Sequence, residues 1–162
     1  MSQNQHSAFR KQVADRTLDG WELEGCAEWL IDQQGVGVSI IDTEGRLLFY
    51  NQWADNKMPR EPEYLGQKVQ EHHRKQITNV RFEAMLDLFR KEGRTEAVKY
   101  VAKPYEGLTI IVIVTPIIVE GELVAFCQTV LDKDEIQGMC ETFDESGNIT
   151  FQRDILPGSE PG

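Results

Sequence analysis

The sequence lacks long apolar segments, which argues against a membrane-spanning protein. Its longest apolar run, Leu108–Val119, is interrupted by Thr115 and Pro116, whereas a membrane-spanning helix needs about 18 or more apolar residues. The run therefore predicts a buried strand. The opening residues MSQNQHSAFRKQ contain no apolar signal core, which argues against secretion. We expect a soluble, cytoplasmic protein with no membrane partner.

Basic residues and cysteines are also scarce. The chain has 17 lysines and arginines against 27 aspartates and glutamates, a formal net charge of -10. Such a charge repels nucleic-acid phosphates and anionic lipid headgroups, so we expect no nucleic-acid partner. The three cysteines, Cys26, Cys127 and Cys140, are odd in number and lack the spacing of a metal site. They are expected to be reduced thiols.

Motifs for catalysis are absent as well. The sequence has no Gly-x-Ser-x-Gly elbow, no phosphate-binding glycine loop and no obvious Cys–His pair, which are the usual signs of nucleophilic or phosphoryl-transfer chemistry. Asp42 and Glu44 lie in a predicted turn, where carboxylates are usually solvated. We expect a protein that is not an enzyme. The alternative is a cone-shaped α+β isomerase or hydratase, which would need an Asp or Tyr and a His to converge inside a cavity.

The length and the hydrophobic content favour one domain with appended segments. The chain has 162 residues, of which 40% are hydrophobic, and this is enough for one buried core. We divide it into flanking helices at residues 1–34, a core at residues 35–133 and an acidic tail at residues 134–162. A small hairpin in the tail is one interpretation of residues 142–151.

The flanking region is predicted to contain two helices. Residues 1–20 are polar with scattered apolar positions, a pattern typical of a short amphipathic helix. A second helix is predicted over Trp21–Gln34, where Asp19 can cap the first turn and Gly35 can end the last.

The core opens with a predicted β-hairpin. The strands Val36–Ile41 and Leu47–Tyr50 flank a turn in which Gly45 can adopt the positive φ that a short loop requires. Asn51 follows directly, where its side-chain oxygen can cap a short helix. Short helical turns are then expected as far as residue 72.

A long helix and three further strands complete the predicted core. The helix covers Lys75–Glu92 and has a broad apolar surface that must be buried. The strands are predicted at Thr95–Lys103, Leu108–Val119 and Leu123–Leu131, with a helical turn at Lys133–Met139. The order predicts an α+β fold, in which helices cover one face of a five-stranded antiparallel sheet and a ligand cavity lies between them.

The same order and particular residues resemble the PAS domain family. The resemblance covers residues 30–133 and is carried by IIDTEGRLLFYNQWA at residues 40–54, with its Asp, Gly and Asn in place, and by the final hairpin Ile110–Leu131. It implies the PAS fold and a sensory role in intracellular signal transduction. It also implies a small ligand in the cavity, a homodimer, and a signalling partner protein or output domain. A ligand-free dimerisation or interaction module is the alternative.

One segment resembles a narrower subgroup, the haem-binding PAS regulators that respond to carbon monoxide. The residues are GQKVQEHH, from Gly66 to His73, before the long helix. The resemblance implies that His73 is the proximal ligand of a haem iron, with His72 beside it; otherwise the two histidines are exposed or cap the helix. Arg74 stands where the subgroup often has Pro, and Arg94–Tyr105 holds no Cys or Met to serve as the opposite ligand. A flavin photosensor would need an Asn-Cys-Arg motif, which the sequence lacks.

Overall fold

The computed structural model describes residues 17–18, 21–22, 29–58, 61–72 and 76–142. The predicted amphipathic helix within residues 1–20 falls largely outside these ranges. The predicted hairpin at residues 142–151 lies outside them apart from residue 142, the end of a helix.

The second predicted helix is wrong at its start. Thr17–Leu18 (β1) pairs antiparallel with Trp21–Glu22 (β2), so the prediction of a helix beginning at Trp21 is wrong. Residues 29–32 are helical, as predicted. The dipeptide Asp19-Gly20 is the ambiguous signal, because Asp19 can cap a helix but Asp-Gly is also typical of a two-residue hairpin connection.

Five antiparallel strands form the main sheet, in the spatial order β4-β3-β7-β6-β5. They are Gly37–Asp42 (β3), Leu47–Tyr50 (β4), Val98–Tyr105 (β5), Leu108–Val119 (β6) and Glu122–Asp132 (β7). Each predicted strand of the core is confirmed, with ends shifted by up to three residues. The α+β class, with the single five-stranded sheet, is therefore confirmed.

The helices between β4 and β5 cover one face of this sheet. They are Gln52–Lys57 (α1), two 3₁₀ helices at Pro62–Tyr64 and Val69–His72, and Gln76–Arg90 (α2). The predicted long helix is confirmed as α2. After β7 the chain continues as Lys133–Thr142 (α3), which is longer than the single helical turn that the sequence predicts there.

The sheet has an inner face toward these helices and an outer face away from them, because side chains alternate along each strand. The main core lies at the inner face, where strand residues pack against α1, α2 and the second 3₁₀ helix. Its buried members are Ile41, Leu47, Ala54, Met58, Val69, Phe82, Met85, Leu86, Phe89, Ile110, Val112, Val114, Phe126 and Val130. A second, smaller cluster on the outer face consists of Val38, Ile40 and Ala125, with partly buried neighbours such as Ile31 and Cys127.

The opening hairpin turns where the sequence predicts. Gly45 has a φ of 85°, and the carboxylate of Asp42 accepts hydrogen bonds from the backbone N–H groups of Glu44 (2.9 Å) and Arg46 (2.8 Å). Glu44 forms an ion pair with Arg46 at 3.0 Å. Asp42 therefore stabilises the backbone of the turn and Glu44 pairs with Arg46, so the two carboxylates do not form an acid–base pair.

Asn51 joins three segments of the chain through four hydrogen bonds. Its Oδ1 caps α1 by accepting from the N–H of Ala54 at 3.1 Å, and it also accepts from the N–H of Val38 at 2.9 Å. Its Nδ2 donates to the carbonyls of Ile31 (3.0 Å) and Val36 (2.9 Å). The predicted cap is confirmed, and the same side chain also holds the residues that precede β3.

Candidate ligand-binding site

The centre of the inner face carries two buried polar side chains. Gln128 lies on β7, the middle strand of the sheet, and its direct neighbours are Ser39 on β3 and Val114 on β6. Ser39 is 0% exposed and Gln128 is 6% exposed. Among the described residues the Oγ atom of Ser39 has no hydrogen-bond partner. A buried hydroxyl in this state marks a place where water or a ligand can bind.

All four tyrosines of the chain pack against the main core. They are Tyr50, Tyr64, Tyr100 and Tyr105, and each is partly buried. Burial raises the pKa of Tyr100 to about 12, so its hydroxyl stays protonated and can donate a hydrogen bond at neutral pH. Because Tyr100 lies on the edge strand β5, the interior has phenol groups at its rim as well as polar groups at its centre.

His72 ends the second 3₁₀ helix and stacks on Tyr64. The two ring centroids are 3.7 Å apart, with an angle of 18° between the ring planes. Its Nε2 atom is buried and has no hydrogen-bond partner within the described ranges. The stacking occupies the face of the imidazole and leaves the ring edge, where both nitrogens lie, unengaged by Tyr64. The Nε2 atom can accept a hydrogen bond or ligate a metal.

The structure describes His72 but not His73, the predicted ligand of the haem iron. His73 lies outside the described residues, together with Arg74 and Lys75. The buried, unpaired Nε2 of His72 fits the donor chemistry of an axial haem ligand. No group of three or more His, Cys, Asp or Glu side chains in the described part of the chain could hold a bare metal ion. The position of His73 as the iron ligand stays a prediction.

Cys127 lies on the outer face of β7 and not in the interior. It packs beside Val38, Ile40 and Ala125, while Phe126 and Val130 point to the main core. Burial raises the pKa of the Cys127 thiol, against the opposing effect of a hydrogen bond with Thr129. The thiol is therefore less reactive than a free cysteine, as the interpretation of Cys127 as a small buried hydrophobic residue predicts.

A polar contact connects the helical layer with the C-terminal helix. The Nζ atom of Lys57, at the end of α1, donates to Asp132 Oδ2 at 3.3 Å and to Glu135 Oε1 at 3.0 Å. The hydrogen bond to Glu135 contributes most to raising the pKa of Lys57. Burial alone would raise the pKa of Asp132, but hydrogen bonds from the Asp134 backbone and from Lys57 outweigh it and lower that pKa. Both groups therefore remain charged at neutral pH.

Two solved PAS domains are similar in fold to this chain. The chain is similar to the PAS domain of BvgS from Bordetella pertussis, with a TM-score of 0.56, 17% sequence identity, and 70% of this chain and 90% of that chain covered. For a PAS domain from Colwellia psychrerythraea the TM-score is 0.51 at 17% identity, covering 67% of this chain and 94% of that one. No protein-family model and no curated protein matches the chain.

A third similar structure is an RNA-binding light-oxygen-voltage receptor. Its TM-score is 0.58 at 14% identity, and the match covers 74% of this chain but only 37% of the receptor. At such identities the similarities establish the fold, so the predicted PAS fold is confirmed. Within the described residues, every helix is too short or too polar to cross a lipid bilayer.

Proposed function

We propose that the protein is a cytoplasmic sensory domain in signal transduction, and not an enzyme. It binds a small ligand between the inner face of the sheet and the helices. The conformational change on binding is transmitted to a partner protein or an output domain. The observation that carries this proposal is Ser39 Oγ, a buried polar atom on the inner face that has no partner among the described residues. In the helical layer His72 Nε2, Gln70 Oε1 and Arg90 Nε are also buried and unpaired within the described residues.

Unpaired polar atoms are unfavourable in a packed interior. More than about 90% of buried polar groups in proteins have a hydrogen-bond partner, and leaving one unpaired costs about 1–3 kcal/mol. A bound ligand or water that pairs with Ser39 would recover this free energy. Binding at this interface would therefore stabilise one arrangement of the helices against the sheet.

The contact of Lys57 with Asp132 and Glu135 would couple ligand binding to the position of the C-terminal helix α3. Lys57 belongs to α1, which packs on the inner face, and Glu135 belongs to the first turn of α3. A ligand that moves α1 would change the distance from Lys57 to these carboxylates and hence the attachment of α3. A partner or output domain that follows or touches α3 would respond to this change.

Haem is the ligand that the resemblance of residues 66–73 implies, and we propose His73 as its axial ligand with His72 as the neighbouring imidazole. Haem would supply an iron that binds carbon monoxide. The residues of this chain would hold the iron by one imidazole and surround the macrocycle with apolar side chains. Arg74 and Lys75 are placed in the sequence to pair with propionates.

We predict that the purified protein reconstituted with haem shows a Soret band that shifts when carbon monoxide is added. His73→Ala is expected to abolish the shift and reduce haem affinity at least about 10-fold, because the iron loses its protein ligand. The third histidine of the chain, His6, provides a matched control, since His6→Ala should keep the wild-type spectrum. A wild-type spectrum in His73→Ala would contradict the role of His73 as the iron ligand. If His72→Ala also keeps the wild-type spectrum, neither histidine is the ligand.

A second candidate function is homodimerisation, and exposed apolar side chains favour it. Val101 on the outer side of the edge strand β5 is 62% exposed, and Ile118 and Val124 are 42% and 40% exposed. Trp29 and Leu30 in the N-terminal helical segment are exposed as well. Apolar groups of this kind are typical of protein–protein contacts when they lie together on one surface.

We predict that the full chain forms a dimer at micromolar concentration and that Val101→Glu weakens it at least about tenfold, because the dimer would have to bury the new charge. Val80→Glu is the matched control, since Val80 on α2 is 60% exposed but lies away from the sheet surface. Sedimentation equilibrium measures the dissociation constants. A monomeric wild type, or equal weakening by both substitutions, would contradict dimerisation through the sheet.

A further inference from the structure

The pair Ser39 and Gln128 occupies the centre of the inner face, where the neighbouring positions are apolar. Gln128 is on the middle strand β7 and pairs with Ser39 on β3. On its other side it pairs with Val114 on β6, which in turn pairs with Val98 on the edge strand β5. Residues directly opposite in antiparallel strands have Cβ atoms about 5 Å apart, so the hydroxyl and the carboxamide form one polar surface. This surface lies on the inner face of the sheet, toward the helices.

A comparison with Asn51 shows that the pair has no evident structural role. Asn51 is equally buried, and each of its side-chain polar atoms is hydrogen-bonded to the backbone. Ser39 Oγ has no such partner, and none of the hydrogen bonds of the described residues is made by the Gln128 carboxamide. A methionine at position 128 would fill a similar volume without an unpaired amide.

The chemistry of the pair defines the group that it can bind. A carboxamide and a hydroxyl each supply a donor and an acceptor, and the buried polar side chains among the described residues are Ser39, Asn51 and Gln128, none of them charged. A buried carboxylate or phosphate of a ligand would therefore lack a countercharge and be disfavoured. A neutral group with both a donor and an acceptor can pair with both side chains.

We propose that Ser39 and Gln128 recognise the amide-like group of a neutral small molecule, such as a carboxamide or the edge of a nucleobase, whose apolar part lies along Val114 and Val98. The inference rests on the proposed binding of a ligand in the interior but is independent of haem. Gln128 is the specificity-determining residue, because its long side chain supplies both hydrogen-bonding groups from the middle strand.

Three probes that share a benzene ring test this assignment: benzamide, benzoate and toluene. Titration of the full chain, followed through the side-chain amide signals of ¹⁵N-labelled protein, should show benzamide binding about tenfold more tightly than the other two, the usual effect of one or two hydrogen bonds. In Gln128→Met the preference should reverse toward toluene. Gln67→Met, at an exposed glutamine, is the control and should bind all three probes like the wild type.

The outcomes separate this inference from the proposed function. Equal binding of benzamide by the wild type and Gln128→Met would overturn the role of Gln128 while leaving a ligand-binding interior. Preference for benzoate would overturn the neutral ligand class. If no probe binds, native mass spectrometry of the purified protein decides: a co-purified small molecule retained by Gln128→Met overturns the inference alone, whereas no co-purified molecule counts against both.

Discussion

Asn51→Ala is expected to lower the free energy of unfolding by about 3–5 kcal/mol, because the substitution removes four hydrogen bonds and leaves buried backbone groups without partners. The N–H of Val38 and the carbonyl of Val36 would lose these bonds, whereas the carbonyl of Ile31 would lose one bond and keep that from the N–H of Gln34. The loss of the α1 cap alone accounts for about 1 kcal/mol. Urea denaturation followed by circular dichroism measures the difference.

The neighbouring Asn56 provides a matched control. It lies on the same helix α1 and is exposed, so Asn56→Ala should change the free energy of unfolding by less than about 0.5 kcal/mol. A loss of 1 kcal/mol or less for Asn51→Ala would show that the cap is its main contribution and that the bonds to residues 31–38 contribute little.

Phe126→Ala is expected to destabilise the fold by about 3–5 kcal/mol, the range for buried aromatic residues truncated to Ala. Phe126 is 0% exposed and lies on β7 between Ile41 on β3 and Pro116 on β6. Its ring meets that of Phe89 on α2, with centroids 5.2 Å apart. The substitution would leave a cavity between the sheet and α2, and thermal or urea unfolding would detect the loss.

Val124 on the same strand separates the loss of packing from the loss of strand propensity. It is 40% exposed, so Val124→Ala should cost less than about 1 kcal/mol. Similar losses for the two variants would mean that Phe126 contributes no more than an average strand residue. Phe126 would then not be a central contact between the sheet and α2.

Much of the fold can be predicted from local signals. Gly45 between two apolar runs predicts a hairpin, and the apolar stripe of Lys75–Glu92 predicts a buried helix; both are present. The start of the N-terminal helix could not be predicted in this way, because Asp19-Gly20 supports a helix cap and a hairpin turn equally well. Only the pairing of Thr17–Leu18 with Trp21–Glu22 decides between them. The division into residues 1–34, 35–133 and 134–162 stays a prediction.

The candidate site was harder to predict than the fold. The histidines stand out in the sequence because the residue type itself indicates chemistry, and the structure places His72 in a half-buried stack on Tyr64. Ser39 and Gln128 are 89 positions apart in the numbering and have no motif in common. Their meeting depends on the pairing of β3 with β7, which no local pattern reveals. The one available signal was a glutamine at an inward position of an otherwise apolar strand.

The position of β3 between β4 and β7 also determines the order in which the sheet can assemble during synthesis. β3 can pair with β4 as soon as both leave the ribosome, but its other edge pairs with β7, where Asp42 meets Ala125. About 80 residues must be translated in between, which takes about 4–16 seconds at typical rates of 5–20 residues per second. During that time the apolar faces of the first hairpin have no sheet to join. Aggregation of nascent chains, and any need for a chaperone, should therefore be greatest before β7 emerges.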